Sequence, residues 1–353
     1  MCRFEKCRMK AREGDLIETT NGIFFDVKGL VHPADRVVAF IRYFPDENGK
    51  RRKAGESYAK VYSLPKRYGL LRERYPQYLV YDSVFDEILC EVDVRDVRRR
   101  YQPAEKLGQL RVLKSLDGLE MKSLQLAEML KEETNIGLDA LGVSGSVLAG
   151  LHTLESDIDM VVYGSENCRK VHSALETLLT REGSRLKRYT KVELKKLFDF
   201  RSKDTAMTFE DFVRTESNKA MQGKFLEKDY FVRFVKDWNE VDEKYGDVQY
   251  KNVERARIEA TVVDDSEAIF TPCTYRIANT RFLEGSRLEP VKEVVSFRGR
   301  FCEQAEVGER IVAQGKMEQV TDTRSNSQHF RLLVGGNHED FIVPQYSELF
   351  RSK

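Results

Sequence analysis

The chain has little of what would place it outside a reducing cytoplasm. Its 353 residues include one tryptophan, eight prolines and six cysteines. The cysteines, Cys2, Cys7, Cys90, Cys168, Cys273 and Cys302, form no framework and no CxxC pair. A disulfide-stapled secreted scaffold is therefore excluded, and free thiols in the cytoplasm are expected. Cys2 and Cys7 lack the further ligands that a zinc site needs. No signal peptide and no long apolar run is present, so no membrane partner is expected. A bias of charge is missing too: 59 Lys and Arg stand against 58 Asp and Glu, a net charge of +1. That excludes the whole-molecule basic field of a histone-like binder, and any nucleic-acid contact must come from local patches such as Lys50–Lys53, Arg98–Arg100 and Lys187-Arg188. Short runs of this kind are commonly solvated faces. There is no internal repeat, and GxxxxGK[ST], GxSxG, HExxH and GxGxxG are all absent. P-loop, hydrolase, zincin and dinucleotide chemistry fall away with them.

What is present is a chain too long for one core, 41% hydrophobic and 33% charged. Two or three domains are the expectation. Residues 1–105 read as a strand-rich domain, with β-rich runs broken by Asn21-Gly22, Gly29 and Pro33, and a Lys/Arg/Gly-rich mobile hairpin tip over 46–55. Residues 106–270 read as an α/β domain. A helix stops at Asn135-Ile136-Gly137, "LDALGV" is a short strand, a helix covers about 166–181, and a long charged helical stretch over 191–220 is inserted before strands return at "DYFVRFVKDW" and "RARIEATVV". Residues 271–353 carry short strands with glycine-bearing turns, the pattern of a small OB-like β-barrel.

Within the middle domain, "GVSGSVLAGLHTLESDIDMVVYG" carries the chemistry. On a strand, side chains alternate faces, so Asp157 and Asp159 share one side while Ile158 and Met160 take the other. Two adjacent carboxylates repel in an apolar setting, and a divalent cation is the productive remedy. Mg²⁺ favours such hard oxygen ligands and completes its shell with water and substrate phosphates. Upstream, Gly145 and Ser146 stand where a strand turns into a helix, whose first amides, with the Ser144 and Ser146 hydroxyls, form a phosphate cradle. Ser156 borders the acids. The bland alternative is a turn-proximal acid pair capping a helix. Glu91-Val92-Asp93 alternates in the same way but has no Gly-Ser element before it.

The pairing of "GS" at 145 and 146 with "SDIDMVV" from 156 resembles the signature of the polymerase beta nucleotidyltransferase superfamily, over roughly residues 120–265. The resemblance implies an α+β, multi-domain protein whose core is a mixed sheet with helices. It implies two Mg²⁺ ions, with Mn²⁺ as a substitute, held by three carboxylates, and attack of an acceptor hydroxyl on the α-phosphate of a nucleoside triphosphate such as ATP. Asp157 and Asp159 match the two motif acids, and Gly145 and Ser146 the phosphate-contacting pair. The third acid comes from a later strand, where Glu259 is the first candidate and Asp264 the second. Two metals would clamp both oxygens of an in-line displacement.

The function expected is transfer of a nucleoside monophosphate to a hydroxyl on RNA or another nucleic acid, with pyrophosphate released. Phe297, Arg298, Arg300, Phe301, Phe330 and Arg331 of the barrel are candidate single-strand contacts, although barrel cores also need phenylalanine. Two alternatives stay open: a transferase acting on a protein or small molecule, and a nucleic-acid-binding scaffold that retains an inactive transferase fold.

Overall fold

Strict alternation builds the first sheet. In Arg36–Pro45, Val37, Ala39 and Ile41 are fully buried on one face while the residues between them are half-exposed, the period of a strand packed mainly on one face. The computed structural model describes residues 9–203 and 205–345, so Cys2 and Cys7 lie outside the described residues. The protein is a mixed α and β structure with three sheets and seven helices among these residues, and no helix is long and apolar enough to cross a membrane. By packing, it divides into two compact units. The first holds the described residues up to Asp82 with Glu87–Asn167 and Val235–Tyr245; the second holds Ser83–Asp86, Cys168–Phe234 and the described residues from Gly246 onward.

The first unit opens with β1 (Leu16–Thr19), β2 (Phe24–Val27), β3 (Arg36–Pro45), β4 (Arg51–Lys53), β5 (Glu56–Lys60), β6 (Leu79–Asp82), β7 (Glu87–Asp93) and β8 (Val97–Tyr101). They pair in the order β4-β5-β3-β2-β1-β8, with β7 joining β3 and β6 joining β7. One face of the sheet buries Ile17, Phe25, Val27, Ala39 and Ile41 with Leu71 of helix α1 (Leu64–Arg74). The other buries Leu16, Phe24, Tyr43 and Tyr58 against Leu148, Ala149 and Leu151. Residues 51–53, expected in a mobile tip, are instead a strand hydrogen-bonded to β5. Ala54 and Gly55, both at positive φ (49° and 86°), make the tight turn between them, the conformation that a two-residue hairpin favours.

Two helices follow, α2 (Pro103–Val112) and α3 (Gly118–Thr134). Asp117 and Glu120 form a capping box at the start of α3, and Asn135, left-handed at φ 54°, ends it. The stop therefore falls on the asparagine rather than on Gly137, because the asparagine side chain tolerates this conformation. Next come β9 (Leu141–Val143), α4 (Gly145–Ala149) and β10 (Ile158–Tyr163), with Met160 of β10 opposite Val143 of β9.

The chain passes toward the second unit within α5 (Ser165–Thr180), whose Val171, Leu175 and Leu178 are buried. The second unit adds β11 (Leu186–Lys187), α6 (Lys191–Arg201), α7 (Phe209–Glu216), β12 (Gln222–Phe225) and β13 (Lys228–Val235). The helical stretch expected over 191–220 is thus two helices; Thr190 caps α6 and Thr208 caps α7. Last come β14 (Val248–Glu267), β15 (Cys273–Glu284), β16 (Val291–Ser296), β17 (Arg310–Asp322), β18 (Ser327–Leu333) and β19 (Phe341–Gln345). Their pairings close on themselves: β14 with β15, β15 with β16, β16 parallel to β18, β18 with β17, and β17 back to β14, while β19 adds to β17. The strand at "RARIEATVV", read with the middle domain, is part of β14 and belongs to this ring. Its partners lie up to some sixty residues later, beyond the reach of local pattern.

Candidate functional site

The Gly-Ser element and the acid pair meet at one turn of the first unit. The Ser144 amide donates to the Asp159 carbonyl at 2.8 Å. Gly145 follows at φ +58°, and a Cβ built there would lie 1.7 Å from Asp159 Oδ2 and 2.5 Å from its Cγ. Glycine is demanded twice, by the left-handed backbone and by the carboxylate resting on it. Ser144 gives its hydroxyl to the Gly14 carbonyl at 2.6 Å. Ser146 is 2% exposed, and its Oγ has no hydrogen-bond partner. That is an unusual state, since buried hydroxyls are normally paired. α4 is only five residues long and ends at Gly150, again left-handed. So short a helix adds little dipole, and a phosphate cradle here depends on side chains.

The loop from α4 to Asp157 is pinned from the first sheet. Lys53 Nζ donates to the Ala149 carbonyl at 2.7 Å and to the Tyr101 hydroxyl at 3.0 Å. It sits 4.5 Å from the ring centres of Phe24 and Tyr101. The Arg51 guanidinium donates to the Leu151 carbonyl and, at 3.4 Å, to Ser156 Oγ. Ser156 Oγ also accepts from the Thr153 amide at 3.0 Å, so this hydroxyl holds the loop's shape.

Asp157 and Asp159 are half-buried and surrounded by charge from the same sheet. Arg42 occupies a β-bulge: Phe24 faces Tyr43 and Phe25 faces Ile41, leaving Arg42 as the extra residue. Such bulges re-aim a side chain, and they recur beside active sites. Burial opposes the charge on Arg42, yet Tyr43, Asp26, Asp159 and Asp157 together hold the guanidinium above its ordinary value. Lys60 stands opposite Tyr43 on β5. Burial and then Arg42 push its ammonium down to about 8, against the pull of Asp157 and Asp159. Burial pushes the Tyr43 hydroxyl up to about 12, and that oxygen has no hydrogen-bond partner. Arg42, Tyr43, Arg51, Lys53 and Lys60 are what the sequence reading missed. The available signal was the basic run at 50–53, set aside there as a solvated tip.

The other candidates sit elsewhere. Glu259 lies on β14 in the second unit, 3% exposed, its carboxylate held by Arg281 and Arg310; the Arg281 Nε contact is 3.1 Å. Asp264 is on the surface, accepting from the Ser266 amide at 2.9 Å. Among the described residues, one group of three His, Cys, Asp or Glu side chains is close enough to share a cation: Asp117, Glu120 and His152. Its members are already engaged. Asp117 Oδ1 caps α3, Asp117 Oδ2 meets His152 Nε2 at 2.5 Å, and Glu120 pairs with Lys106 at 3.0 Å. In the ring, Phe301 is 1% exposed, while Arg331 pairs with Glu318 at 2.8 Å and lies 3.8 Å from the Tyr250 ring centre. Arg300 donates to Thr205 Oγ1 at 3.0 Å. Phe301 and Arg331 are buried, and Arg300 is half-buried.

No family model and no solved structure matches the chain. It is 35% identical over 342 residues to the uncharacterized protein MJ1086 of Methanocaldococcus jannaschii, an alignment covering 94% of this chain and 98% of that protein. The chain belongs to the family of that protein. An alignment of this extent takes in most of both units, so the sequence likeness to MJ1086 is not confined to a single motif.

Proposed function

We propose that the protein is a nucleotidyltransferase of the polymerase beta type, moving a nucleoside monophosphate from a triphosphate to an acceptor hydroxyl. The observation that carries this reading is the Asp159 carboxylate lying against Gly145, so that the Gly-Ser turn and the second motif acid are in contact. The residues fit a Mg²⁺ ion: Asp157 and Asp159 offer hard oxygen donors, and the buried hydroxyl of Ser146, the residue after the glycine that Asp159 touches, has no hydrogen-bond partner. Asp157 and Asp159 would hold such an ion, which would supply neutralisation of phosphate charge and a lowered pKa for the attacking hydroxyl. The chain's own residues do the positioning. Gly145 makes room for the Asp159 carboxylate, and Ser146 Oγ donates to the phosphate. The acceptor oxygen bonds to the α-phosphorus, the bond to the β-phosphate oxygen breaks, pyrophosphate leaves, and the hydroxyl proton passes to a carboxylate of the pair.

Glu259 and Asp264 receive no catalytic role in this reading, since the first is held by two arginines and the second by its own turn. A nucleic-acid acceptor is favoured by the ring of the second unit, whose strand order and parallel β16–β18 pair are those of an OB-like barrel. The test is incubation of the pure protein with labelled triphosphates, Mg²⁺ and total RNA. Incorporation that disappears in Asp157→Ala is the expected result. Incorporation equal in Asp157→Ala overturns the assignment. RNA binding without any incorporation would favour the inactive scaffold.

A further inference from the structure

The charged groups that act on Asp157 and Asp159 come from the N-terminal sheet. Tyr43 and Lys60 are paired residues on β3 and β5, and Arg51 is paired with Tyr58 on β4 and β5. Alternation puts all four on the face that also carries Phe24, packed against Leu148, Ala149 and Leu151. Counted from Ile41, which packs on the other face, alternation turns Arg42 to this one, and the bulge brings Tyr43 to it as well; the charges of Asp26, Asp159 and Asp157 hold the guanidinium. Arg42, Arg51 and Lys60 therefore act on one another and on Asp157 and Asp159 beside the buried Tyr43 Oη, which has no hydrogen-bond partner. A buried ammonium next to a guanidinium and an unpaired hydroxyl are costly to hold in a folded chain. A polyanion relieves both costs, because phosphate oxygens accept from guanidinium, ammonium and hydroxyl alike.

We infer that Arg42 and Lys60, with the Tyr43 hydroxyl, receive the β- and γ-phosphates of the substrate, so that the N-terminal sheet forms half of the nucleotide pocket rather than a separate acceptor-holding module. This deepens the transferase reading and rests on it for the nucleoside, though not for the anion. Arg51 is a positioning residue: its bonds to the Leu151 carbonyl and Ser156 hold the loop that leads into the acid pair. The pocket then has a division of labour, with the aspartates at the α-phosphate end and the cations at the leaving-group end.

The experiment is calorimetric titration of the full chain with inorganic tripolyphosphate, with and without Mg²⁺. Variants are Lys60→Gln, Lys60→Arg, Tyr43→Phe, Asp157→Asn and, as a control, Lys114→Gln at an exposed position. Lys60→Gln should weaken binding about tenfold or more, as expected for one charge-assisted contact. Lys60→Arg should restore most of it, Tyr43→Phe should weaken it severalfold, and Lys114→Gln should change nothing. Trp238 emission, from the first unit, checks that each variant is folded. Wild-type protein that ignores tripolyphosphate, or Lys60→Gln that binds it as wild type does, overturns the inference. The two readings fail separately. Lys60-dependent binding without nucleotide incorporation sinks the transferase and keeps the cradle, whereas Asp157-dependent incorporation with Lys60-independent binding does the reverse.

Discussion

Alanine at Gly145 and alanine at Gly150 make a matched pair that isolates the contact on which the site depends. Both glycines are left-handed, at φ +58° and +66°, and they bracket the same helix, α4. They differ in room. A Cβ at Gly150 meets nothing within 4 Å, whereas one at Gly145 would overlap the Asp159 carboxylate at 1.7 Å. Gly150→Ala should therefore cost only the left-handed penalty, about 1–2 kcal/mol. Gly145→Ala carries the same penalty plus the displacement of Asp159 by more than an ångström, an overpacking cost of roughly 1–3 kcal/mol. Its total is about 2–5 kcal/mol. Urea unfolding followed by Trp238, the one tryptophan and a residue of the first unit, reads the difference. A gap of ~2 kcal/mol corresponds to a midpoint lower by about 1 M for Gly145→Ala than for Gly150→Ala. Equal midpoints would mean that the turn does not rest on the acid, and the geometry of the proposed site would go with it.

Three further outcomes are expected. Lys53→Met should destabilise the first unit by about 1–2 kcal/mol, because two hydrogen bonds from a half-buried ammonium are lost; a change within roughly 0.5 kcal/mol, typical of a surface lysine, would restore the solvated-tip reading. Glu91 is 2% exposed beside Asp82, and burial, with the hydrogen bond to Asp82, raises its carboxyl from 4.5 to about 8. The folded chain thus holds this proton more firmly than the unfolded one, so its contribution is complete below pH 4.5 and is lost as pH rises through about 8. Urea midpoints should fall across that window, by an amount worth roughly a few kcal/mol, and the fall should flatten in Glu91→Gln; a wild-type profile already flat there refutes the shared proton. In the second unit the Lys219 ammonium, 1% exposed, donates to Glu216 at 2.5 Å, the Arg300 carbonyl at 2.6 Å and Gln304 at 2.9 Å. Lys219→Met should cost about 3–5 kcal/mol in thermal unfolding, since it strips a buried carboxylate of a partner; a melting temperature unchanged by the substitution would show that Arg201 and Gln222 suffice for Glu216.

The half of the site that lies in one short stretch is legible in the sequence. Gly145 and Asp159 are close in the chain, and the period of a strand is enough to set Asp157 and Asp159 side by side. The other half is not, for identifiable reasons. Arg42 follows the alternation of its run, but the bulge that brings Tyr43 to the same face is set by pairing with Phe24 and Phe25, not by any local signal. Arg51 and Lys53 look like solvated charge because their acceptors, the carbonyls of Leu151 and Ala149, lie about a hundred residues on. The same holds for Glu259. An acid flanked by apolar residues on a strand is visible in the sequence, but the arginines that hold it stand on neighbouring strands of the ring, one of them fifty-one positions later. The strands at the end of the chain were readable as a barrel pattern, while the membership of β14 in that ring was not.

The interleaving of the two units has a consequence for making the protein. The first unit is assembled from three separate stretches and is incomplete until Tyr245 has been synthesised. A nascent chain on the ribosome must keep apolar strands such as Val37–Ile41 waiting while most of the polypeptide is still being translated, which lengthens the interval in which they are exposed to aggregation. No single cut of the gene liberates either half, because each is built from stretches that lie on both sides of a stretch of the other.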